Sequence, residues 1–306
     1  MTPRVRYAEP VTAGSRRRTR RACTSGNAAP DPPVAYAPRV SPIGDQSLAS
    51  LDGEIMPAAE AVIPATDEGL IRGDGVFEVI RVYDGQPFAF DEHLARLERS
   101  AANLRLPLDL EAVRAEANRL LAHAGVGPDH ASLRIVLTRG GRRLMLTEPL
   151  SPMTERVRLA SITYSPTRIL DGVKSLSYAA NMLASRLARE RGFDEALLVT
   201  PHGRVLEAPT SSIFWVSGDE LLTPPLEDHI LASITRAHVI ELTGASERAC
   251  TLQDLENADE AFLASTTREV QPVAAIDEKV FEAAGPRTVA AAQALRSRIQ
   301  SLLAPA

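Results

Sequence analysis

The stretch Gly73–Leu104, GDGVFEVIRVYDGQPFAFDEHLARLERSAANL, changes its hydrophobic period partway along and so indicates how the chain folds. Its first part is rich in β-branched and aromatic residues over Val76–Val82, and Asp84-Gly85 predicts a tight turn into a second strand that runs through Phe90. Its second part predicts a helix with Asp91 as the N-cap, because apolar residues recur at helical spacing: Leu94, Leu97, Ala101 and Leu104. A strand pair followed by a helix predicts a domain that mixes sheet and helix.

The segments on either side of this stretch extend the pattern. Upstream, alternating apolar residues flank Asp52-Gly53 and predict another hairpin. Downstream, Leu110–Ala124 predicts a second helix, and LRIVLTRG and VRLASITY predict further strands. Residues 46–165 are therefore expected to form a small N-terminal domain of sheet and helices.

The second half of the chain predicts a larger domain. Residues 166–173 suit a linker, and Tyr178–Arg191 predicts a helix that ends at a glycine. EALLVT, VLEAPTSSIFWV and EAFLAST predict strands joined by short turns, which favours an antiparallel-rich sheet. Ser233–Leu242, with a capping serine, and Thr288–Leu303 predict helices. Residues 174–306 are expected to form this domain.

Composition bounds the class of protein. The 306 residues are 44% hydrophobic and 24% charged, which favours a soluble protein with a sizeable core. A formal net charge of −5 gives no general reason to expect nucleic-acid or anionic-membrane binding. With two cysteines, Cys23 and Cys250, neither a disulfide framework nor a cysteine-rich metal site is expected. The sequence contains no apolar run of about 18 residues, so no membrane-spanning helix is expected. A cytoplasmic protein is expected.

Residues 1–45 differ from the rest of the chain. Seven arginines in the first 21 residues stand against one acid, Glu9, and the Pro-rich stretch APDPPVAYAP follows. This composition predicts a disordered extension. A transit peptide and a twin-arginine signal are alternatives, although no apolar segment follows as a secretory signal requires. A plain extension is the interpretation that we favour.

Five segments, taken in order, resemble the class IV aminotransferases: DEGLIRGDGVFEVIRVYDGQPFAFDEHLARL (67–97), VKSLSYAANMLASRLARERGFDEALLV (173–199), GRVLEAPTSSIFWV (203–216), LLTPPLEDHILASITR (221–236) and LASTTREVQPV (263–273). Each segment alone is a weak signal, but five in the family's order argue against coincidence. The resemblance implies a two-domain fold type IV enzyme of the α+β/α/β class. It also implies a pyridoxal 5′-phosphate (PLP) cofactor, small-molecule amino and 2-oxo acid substrates, and a homodimer.

Three charged residues of these segments carry the chemistry that the resemblance implies. Lys174 matches the lysine that forms a Schiff base with PLP, and that amine must be neutral near pH 7, which burial or a neighbouring cation achieves. Lys174 and Lys279 are the two lysines of the chain, so a chance match is harder. Glu207 matches the acid that pairs with the pyridine nitrogen and keeps the ring an electron sink. Arg96 matches the arginine that binds the phosphate. Without the segments around them, all three suit solvated surface positions.

The other residues that the resemblance assigns to the cofactor are Tyr178, Leu231, Ile234, Thr235, Ser265 and Thr266. Ile234 and Thr235 match a phosphate cup in which main-chain N–H groups of a helix N-terminus face the anion. Thr266 and its neighbour would supply hydroxyl groups from the other side. Tyr178 would hydrogen-bond the phenolic oxygen of PLP, and Leu231 would pack on the ring. Burial in the core, or a local turn or cap, is the alternative for each.

The sequence leaves the choice of family member open. Arg72 stands in RGDG where transaminases of this type usually carry Tyr or Phe, which puts the aromatic wall of a branched-chain pocket in doubt. TRGGRR, with Arg139 and Arg142, resembles both a segment of the aminodeoxychorismate lyases and one of the D-amino-acid transaminases. Arginines there suit substrate carboxylates, and a solvated basic turn is an equal alternative. The GDG glycines lack the spacing of a phosphate-binding loop and predict a turn in the active-site wall.

Three functions follow, in order of preference. SSIFWV and STTREVQPV are more similar to the transaminases, so we favour an aminotransferase of branched-chain or D-amino-acid type with a 2-oxo acid acceptor. The alternative is 4-amino-4-deoxychorismate lyase, which forms 4-aminobenzoate and pyruvate. A PLP-binding homologue without turnover comes last. Lys174, Glu207 and Arg96 are all present, and a protein that kept only the scaffold would need none of them.

Overall fold

The structure, a computed structural model, describes residues 46–304, and the expected extension over residues 1–45 lies outside them. The first six strands of this described part are β1 (Leu48–Leu51), β2 (Glu54–Pro57), β3 (Gly75–Tyr83), β4 (Gln86–Pro87), β5 (Ser132–Thr138) and β6 (Arg143–Glu148). Within the described residues they form one antiparallel sheet in the order β2-β1-β6-β5-β3-β4. Asp52-Gly53 and Asp84-Gly85 have the positive φ angles of two-residue hairpin turns, so both predicted hairpins are confirmed.

Three helices accompany this sheet: α1 (Glu68–Arg72), α2 (Phe90–Asn103) and α3 (Leu110–Ala124). Helix α3 has the predicted bounds, because the Asp109 carboxylate accepts from Ala112 N at 3.0 Å at one end and Gly125 ends the helix at the other. The core lies between the sheet and helices α2 and α3, and its fully buried side chains include Ile80, Leu94, Leu97, Leu120, Ile135 and Met145.

Helix α2 begins earlier than the sequence predicted. A second strand through Phe90 with Asp91 as N-cap is wrong, since β4 ends at Pro87 and the helix starts at Phe90 after Ala89, which has a left-handed φ of 52°. Phe88 N still donates to Arg81 O at 2.9 Å and its side chain is buried in the core, and the left-handed Ala89 then turns the chain into the helix. The Asp91 carboxylate instead accepts from Arg114 Nη1 at 2.6 Å.

The second sheet contains β7 (Val157–Thr163), β8 (Glu195–Val199), β9 (Arg204–Val205), β10 (Ser212–Ser217), β11 (Glu220–Thr223), β12 (Ser246–Glu247), β13 (Cys250–Thr251), β14 (Glu260–Ser265), β15 (Glu269–Ile276) and β16 (Lys279–Val280). Its order over residues 46–304 is β12-β11-β10-β14-β15-β7-β8-β9-β13, with β16 beside β15. The pairs β11–β12, β15–β7 and β7–β8 are parallel and the remaining pairs antiparallel, as expected for an antiparallel-rich sheet.

Strand β7 is real but belongs to a different sheet from the one expected. Its placement with the first-half strands is wrong, because it lies between β15 and β8 and buries Val157 and Leu159 against Trp215. A short apolar run predicts a strand but does not reveal which strand it pairs with. The domain limits at 46–165, 166–173 and 174–306 stay predictions.

The second half also contains α4 (Ala179–Glu190), α5 (Ile234–Thr243), α6 (Leu252–Glu256) and α7 (Pro286–Leu303). Helix α4 packs its alanines on β8, and α5 packs through Val239 on Phe262 and Ala264 of β14. The predicted N-cap of α5 is confirmed, since Ser233 Oγ accepts from Arg236 N at 3.3 Å. Of the helices in residues 46–304, none is long and apolar enough to cross a membrane.

Candidate active site

Lys174 lies on a short extended segment that pairs with the start of β3. Phe77 N donates to Lys174 O at 3.0 Å, and Leu176 N donates to Gly75 O at 2.8 Å. Gly75 permits this approach, because a Cβ there would lie 2.4 Å from Leu137 O and 2.6 Å from the Leu176 side chain. The last glycine of GDG therefore serves close packing beside the lysine.

The Lys174 amine lies over two aromatic rings. Its Nζ is 4.4 Å from the ring centroid of Phe77 and 5.7 Å from that of Tyr178, and these rings meet edge to face. Burial lowers the pKa of Lys174 to about 8, and the Arg96 cation acts in the same direction. A useful fraction of the amine is therefore neutral near pH 7, as attack on a carbonyl and removal of a proton both require.

Glu207 follows β9 and is a partly buried carboxylate that has no ion-pair partner among residues 46–304. Its Oε1 accepts one hydrogen bond, from Leu231 N at 3.2 Å. Burial raises the pKa of Glu207 to about 7, and the Leu231 hydrogen bond opposes the rise only in part. A buried carboxylate without an ion-pair partner suits a protonated ring nitrogen, because the positive charge of that nitrogen would stabilise the ionised carboxylate.

Tyr178 immediately precedes α4 and lies close to the lysine. Its hydroxyl donates to Pro209 O, in the turn after Glu207, and Asn181 Nδ2 donates to the same oxygen at 3.2 Å. Burial and the Glu207 charge raise the pKa of Tyr178, so the phenol stays protonated. The structure thus joins Tyr178 to the Glu207 turn, while its hydrogen bond to a cofactor stays a prediction.

Arg96 is held on α2 by a fully buried carboxylate. Glu78 Oε1 accepts from Arg96 Nε at 2.7 Å, and Glu78 Oε2 accepts from Nη2 at 2.6 Å. His93 Nδ1 lies 2.8 Å from Glu78 Oε2. Although burial alone would raise it, the hydrogen bonds from Arg96 and His93 lower the pKa of Glu78 to about 2. Burial lowers the pKa of His93, so a neutral ring donates from Nδ1.

The N-terminus of α5 lies beside this arginine. Arg96 Nη1 donates to Ala232 O at 3.1 Å, two residues before the helix begins. Ile234 and Thr235 are buried at its first two positions, where main-chain N–H groups have no acceptor inside the helix. Arginine and free N–H groups together suit an anion such as a phosphate.

The turn after β14 carries the predicted hydroxyl groups. Ser265 ends β14, against which α5 packs, and Thr266 begins the turn. Ser265 Oγ accepts from Arg268 N at 3.4 Å, and the Arg268 guanidinium pairs with the buried Glu195 carboxylate at 3.0 Å. The turn is thereby anchored to β8, and contact of its hydroxyl groups with a phosphate stays a prediction.

The arginines considered for substrate binding are all engaged with carboxylates. Arg139 also donates to the carbonyls of Leu104 and Arg105 at 2.6 and 2.8 Å, which closes the C-terminal end of α2. The solvated ion-pair alternative thus describes these side chains in the structure, and a substrate role stays a prediction. The pairs are Arg72 with Glu68 at 2.6 Å, Arg139 with Asp74 at 3.0 Å, and Arg142 with Asp52 at 2.7 Å.

Sequence reasoning did not identify Glu78, His93 or Glu195. Glu78 interrupts the apolar strand VFEVI, and Glu195 begins the fully buried strand EALLV. A carboxylate inside such an apolar run requires a buried partner, so the charged residue in each run was the sequence signal that could have identified these sites. The partners stand 18 and 73 positions away, so the pattern alone does not name them.

Comparison with known proteins finds one family and several relatives. A family described as Amino-transferase class IV matches residues 75–276. A putative branched-chain-amino-acid aminotransferase of Methanocaldococcus jannaschii is 35% identical over 257 residues, 76% of this chain and 88% of that protein. A D-alanine aminotransferase of Bacillus licheniformis is 32% identical over 274 residues, 82% of this chain and 96% of that protein.

Two further similarities bear on the choice between activities. A bifunctional aminodeoxychorismate lyase and D-amino acid transaminase of Mycobacterium tuberculosis is 32% identical over 243 residues, 69% of this chain and 83% of that protein. The solved structure of a fold IV transaminase from Curtobacterium pusillum superposes with a TM-score of 0.74 at 28% identity, over 84% of this chain and 99% of that one.

Proposed function

The chain belongs to the class IV aminotransferase family, and from this premise we propose that it moves the amino group of a branched-chain or D-amino acid to a 2-oxo acid. We further propose that it uses PLP and acts as a cytoplasmic homodimer. Two groups carry the proposal: the Lys174 amine, which lies over the Phe77 ring and has a pKa of about 8, and the Glu207 carboxylate, which has no ion-pair partner among residues 46–304. The neutral amine suits the aldehyde of a pyridine aldehyde, and the carboxylate suits its ring nitrogen.

The residues present fit PLP. Lys174 would hold the cofactor covalently, Glu207 would accept from the ring nitrogen, and Arg96 with the first turn of α5 would bind the phosphate. The fit rests on groups that the described residues leave unsatisfied, namely the Glu207 charge and the N–H groups of Ile234 and Thr235. When bound, PLP supplies an electron sink for the charge left on the substrate Cα.

Lys174 has a second task in this proposal. When it is not bonded to the cofactor, its neutral amine would take the proton from the substrate Cα and deliver it to the former aldehyde carbon of PLP, on the other side of the nitrogen, so it must titrate near neutral pH. Phe77 and Tyr178 cover the amine with their rings, which limits the access of water. The lowered pKa of Lys174 thus serves both attachment and proton transfer.

4-Amino-4-deoxychorismate lyase is the second candidate, because one relative carries both names. The same lysine and cofactor site would serve either reaction. Arg139 is tied to Asp74 and to two carbonyls, and because its segment resembles both the lyases and the D-amino-acid transaminases, it favours neither candidate.

A test of the proposal uses the full chain supplied with PLP. We expect an absorbance band at the edge of the visible region that is absent in Lys174→Ala and present in Lys279→Ala, the matched control at the other lysine. With 2-oxoglutarate as acceptor, D- and L-alanine, valine and leucine are then tested as donors. Formation of 4-aminobenzoate and pyruvate from aminodeoxychorismate, without transfer from any donor, would reverse our choice. No band in the wild type would defeat the PLP proposal.

A further inference from the structure

The carboxylate of Glu78 occupies an unusual position for a charged group. It is fully buried on β3, yet it accepts three hydrogen bonds, two from Arg96 and one from His93. His93 is itself fully buried, and its Nε2 has no partner among residues 46–304. Three hydrogen bonds fix the Glu78 carboxylate, and the two from Arg96 leave the guanidinium few positions in which both are kept.

The guanidinium of Arg96 is only partly used by these bonds. Of its five N–H groups, Glu78 takes the one on Nε and one on Nη2, and Ala232 O takes one on Nη1. One N–H group on each terminal nitrogen is left without an acceptor in the described part of the chain. A donor on each terminal nitrogen suits the two oxygens of a phosphate.

We infer that Glu78 is a positioning residue for the cofactor phosphate, which holds one edge of Arg96 so that the remaining N–H groups serve the anion. This inference rests on the proposed function, because it takes the phosphate of PLP as the ligand of Arg96. Glu78 touches neither the cofactor nor the substrate in this scheme. Its effect reaches the phosphate through the arginine, beside the first turn of α5.

A purely structural role for the Glu78–Arg96 pair is the competing explanation. A buried ion pair is a weak source of stability, since desolvation of both charges offsets their attraction. A comparable pair joins helix α3 to the same sheet: Arg143 of β6 places its Nη2 2.5 Å from the buried carboxylate of Glu116. That pair makes no contact with Lys174, Arg96 or Glu207, so it provides a control.

The experiment compares two ligands that differ only in the phosphate. Cofactor-free full chain is titrated with PLP and with pyridoxal, and attachment to Lys174 is followed by absorbance. For Glu78→Gln we expect the ratio of PLP to pyridoxal affinity to fall roughly tenfold or more, the effect of losing a charge-assisted hydrogen bond. Any effect of the variant on the pKa of Lys174 acts on both ligands and cancels in the ratio. Glu116→Gln should leave the ratio unchanged.

A second comparison tests the inference if the Glu78→Gln variant does not fold. Arg96→Gln and the double variant Glu78→Gln/Arg96→Gln are compared, since the double variant leaves no buried charge unpaired. If Glu78 acts through the arginine, both should show the same PLP to pyridoxal ratio, and a further fall in the double variant would overturn the inference.

The outcomes separate the two proposals. An unchanged ratio in folded Glu78→Gln, or an equal loss for both ligands, overturns the positioning role while the proposed function stands. Absence of attachment of either ligand to the wild type defeats the proposed function and the inference with it.

Discussion

Replacing Glu207 by Gln is expected to stabilise the cofactor-free protein and to lower its turnover when PLP is present. Gln has the same shape, retains an oxygen for the Leu231 N–H group and does not ionise. The variant thus removes the charge of Glu207 and leaves its packing in place. Residues that serve function at the expense of stability behave in this way.

The size and sign of the effect follow from the pKa of Glu207. The carboxyl titrates near 4.5 in the unfolded chain, and burial raises its pKa to about 7 in the folded protein. Because the folded state binds this proton more tightly, it loses stability as pH rises from about 4.5 to about 7, and the full loss persists above that. At about 1.4 kcal/mol per pKa unit the loss is at most about 3 kcal/mol, since water reaches part of the side chain.

Urea unfolding of the cofactor-free wild type and Glu207→Gln at two pH values checks this reasoning. The variant should be more stable by less than about 1 kcal/mol at pH 5 and by up to about 3 kcal/mol at pH 8. Glu190→Gln, an exposed carboxylate at the end of α4, should give no such difference. A Glu207→Gln variant that is no more stable than the wild type at pH 8 would refute the claim that this carboxylate carries an uncompensated charge.

Three other predictions concern the lysine, the helix cap and the buried ion pair. The rate at which PLP attaches to Lys174 should rise with pH and level off above about 8, because only the neutral amine reacts. Stopped-flow absorbance measures this rate, and a rate that does not change from below to above that pH would contradict the lowered pKa of Lys174. Ser233→Ala should lower the free energy of unfolding by about 1 kcal/mol in urea and weaken PLP affinity, and no loss of either would count against a capping role. Arg268→Gln should lower the free energy of unfolding by about 3 kcal/mol, with partial recovery when Glu195→Gln is added, because an unpaired buried charge is worse than none.

Much of the secondary structure could be predicted from the sequence, because its signals are local. Leu110–Ala124 has the predicted bounds since both the capping aspartate and the terminating glycine are adjacent to the helix. Asp91 failed as a cap because the helix starts at Phe90, two residues before the start that a cap at Asp91 implies, and Phe88 just before it is buried in the core. Strand β7 was assigned to the wrong sheet because pairing is a long-range property that one strand does not encode.

The candidate site could be proposed from the sequence, but its supporting residues could not. Lys174, Glu207 and Arg96 stand in segments that resemble a family, and the structure links them through Phe77, Leu231 and Ala232. Glu78 and His93 were missed, because each looks like an ordinary strand or helix residue until the fold places it beside Arg96. A charge inside an apolar run shows that a partner is needed, but only the tertiary structure identifies it.

The two carboxylates of the site give the strongest argument for the proposed cofactor. Glu78 is the more deeply buried, yet three donors hold its pKa near 2, so its charge is satisfied within the protein. Glu207 has one main-chain donor, and its pKa rises to about 7. If burial alone set these pKa values, Glu78 would be shifted upward more than Glu207, and the opposite is seen. What distinguishes them is that Glu207 has no ion-pair partner among residues 46–304, and a protonated pyridine ring would be such a partner.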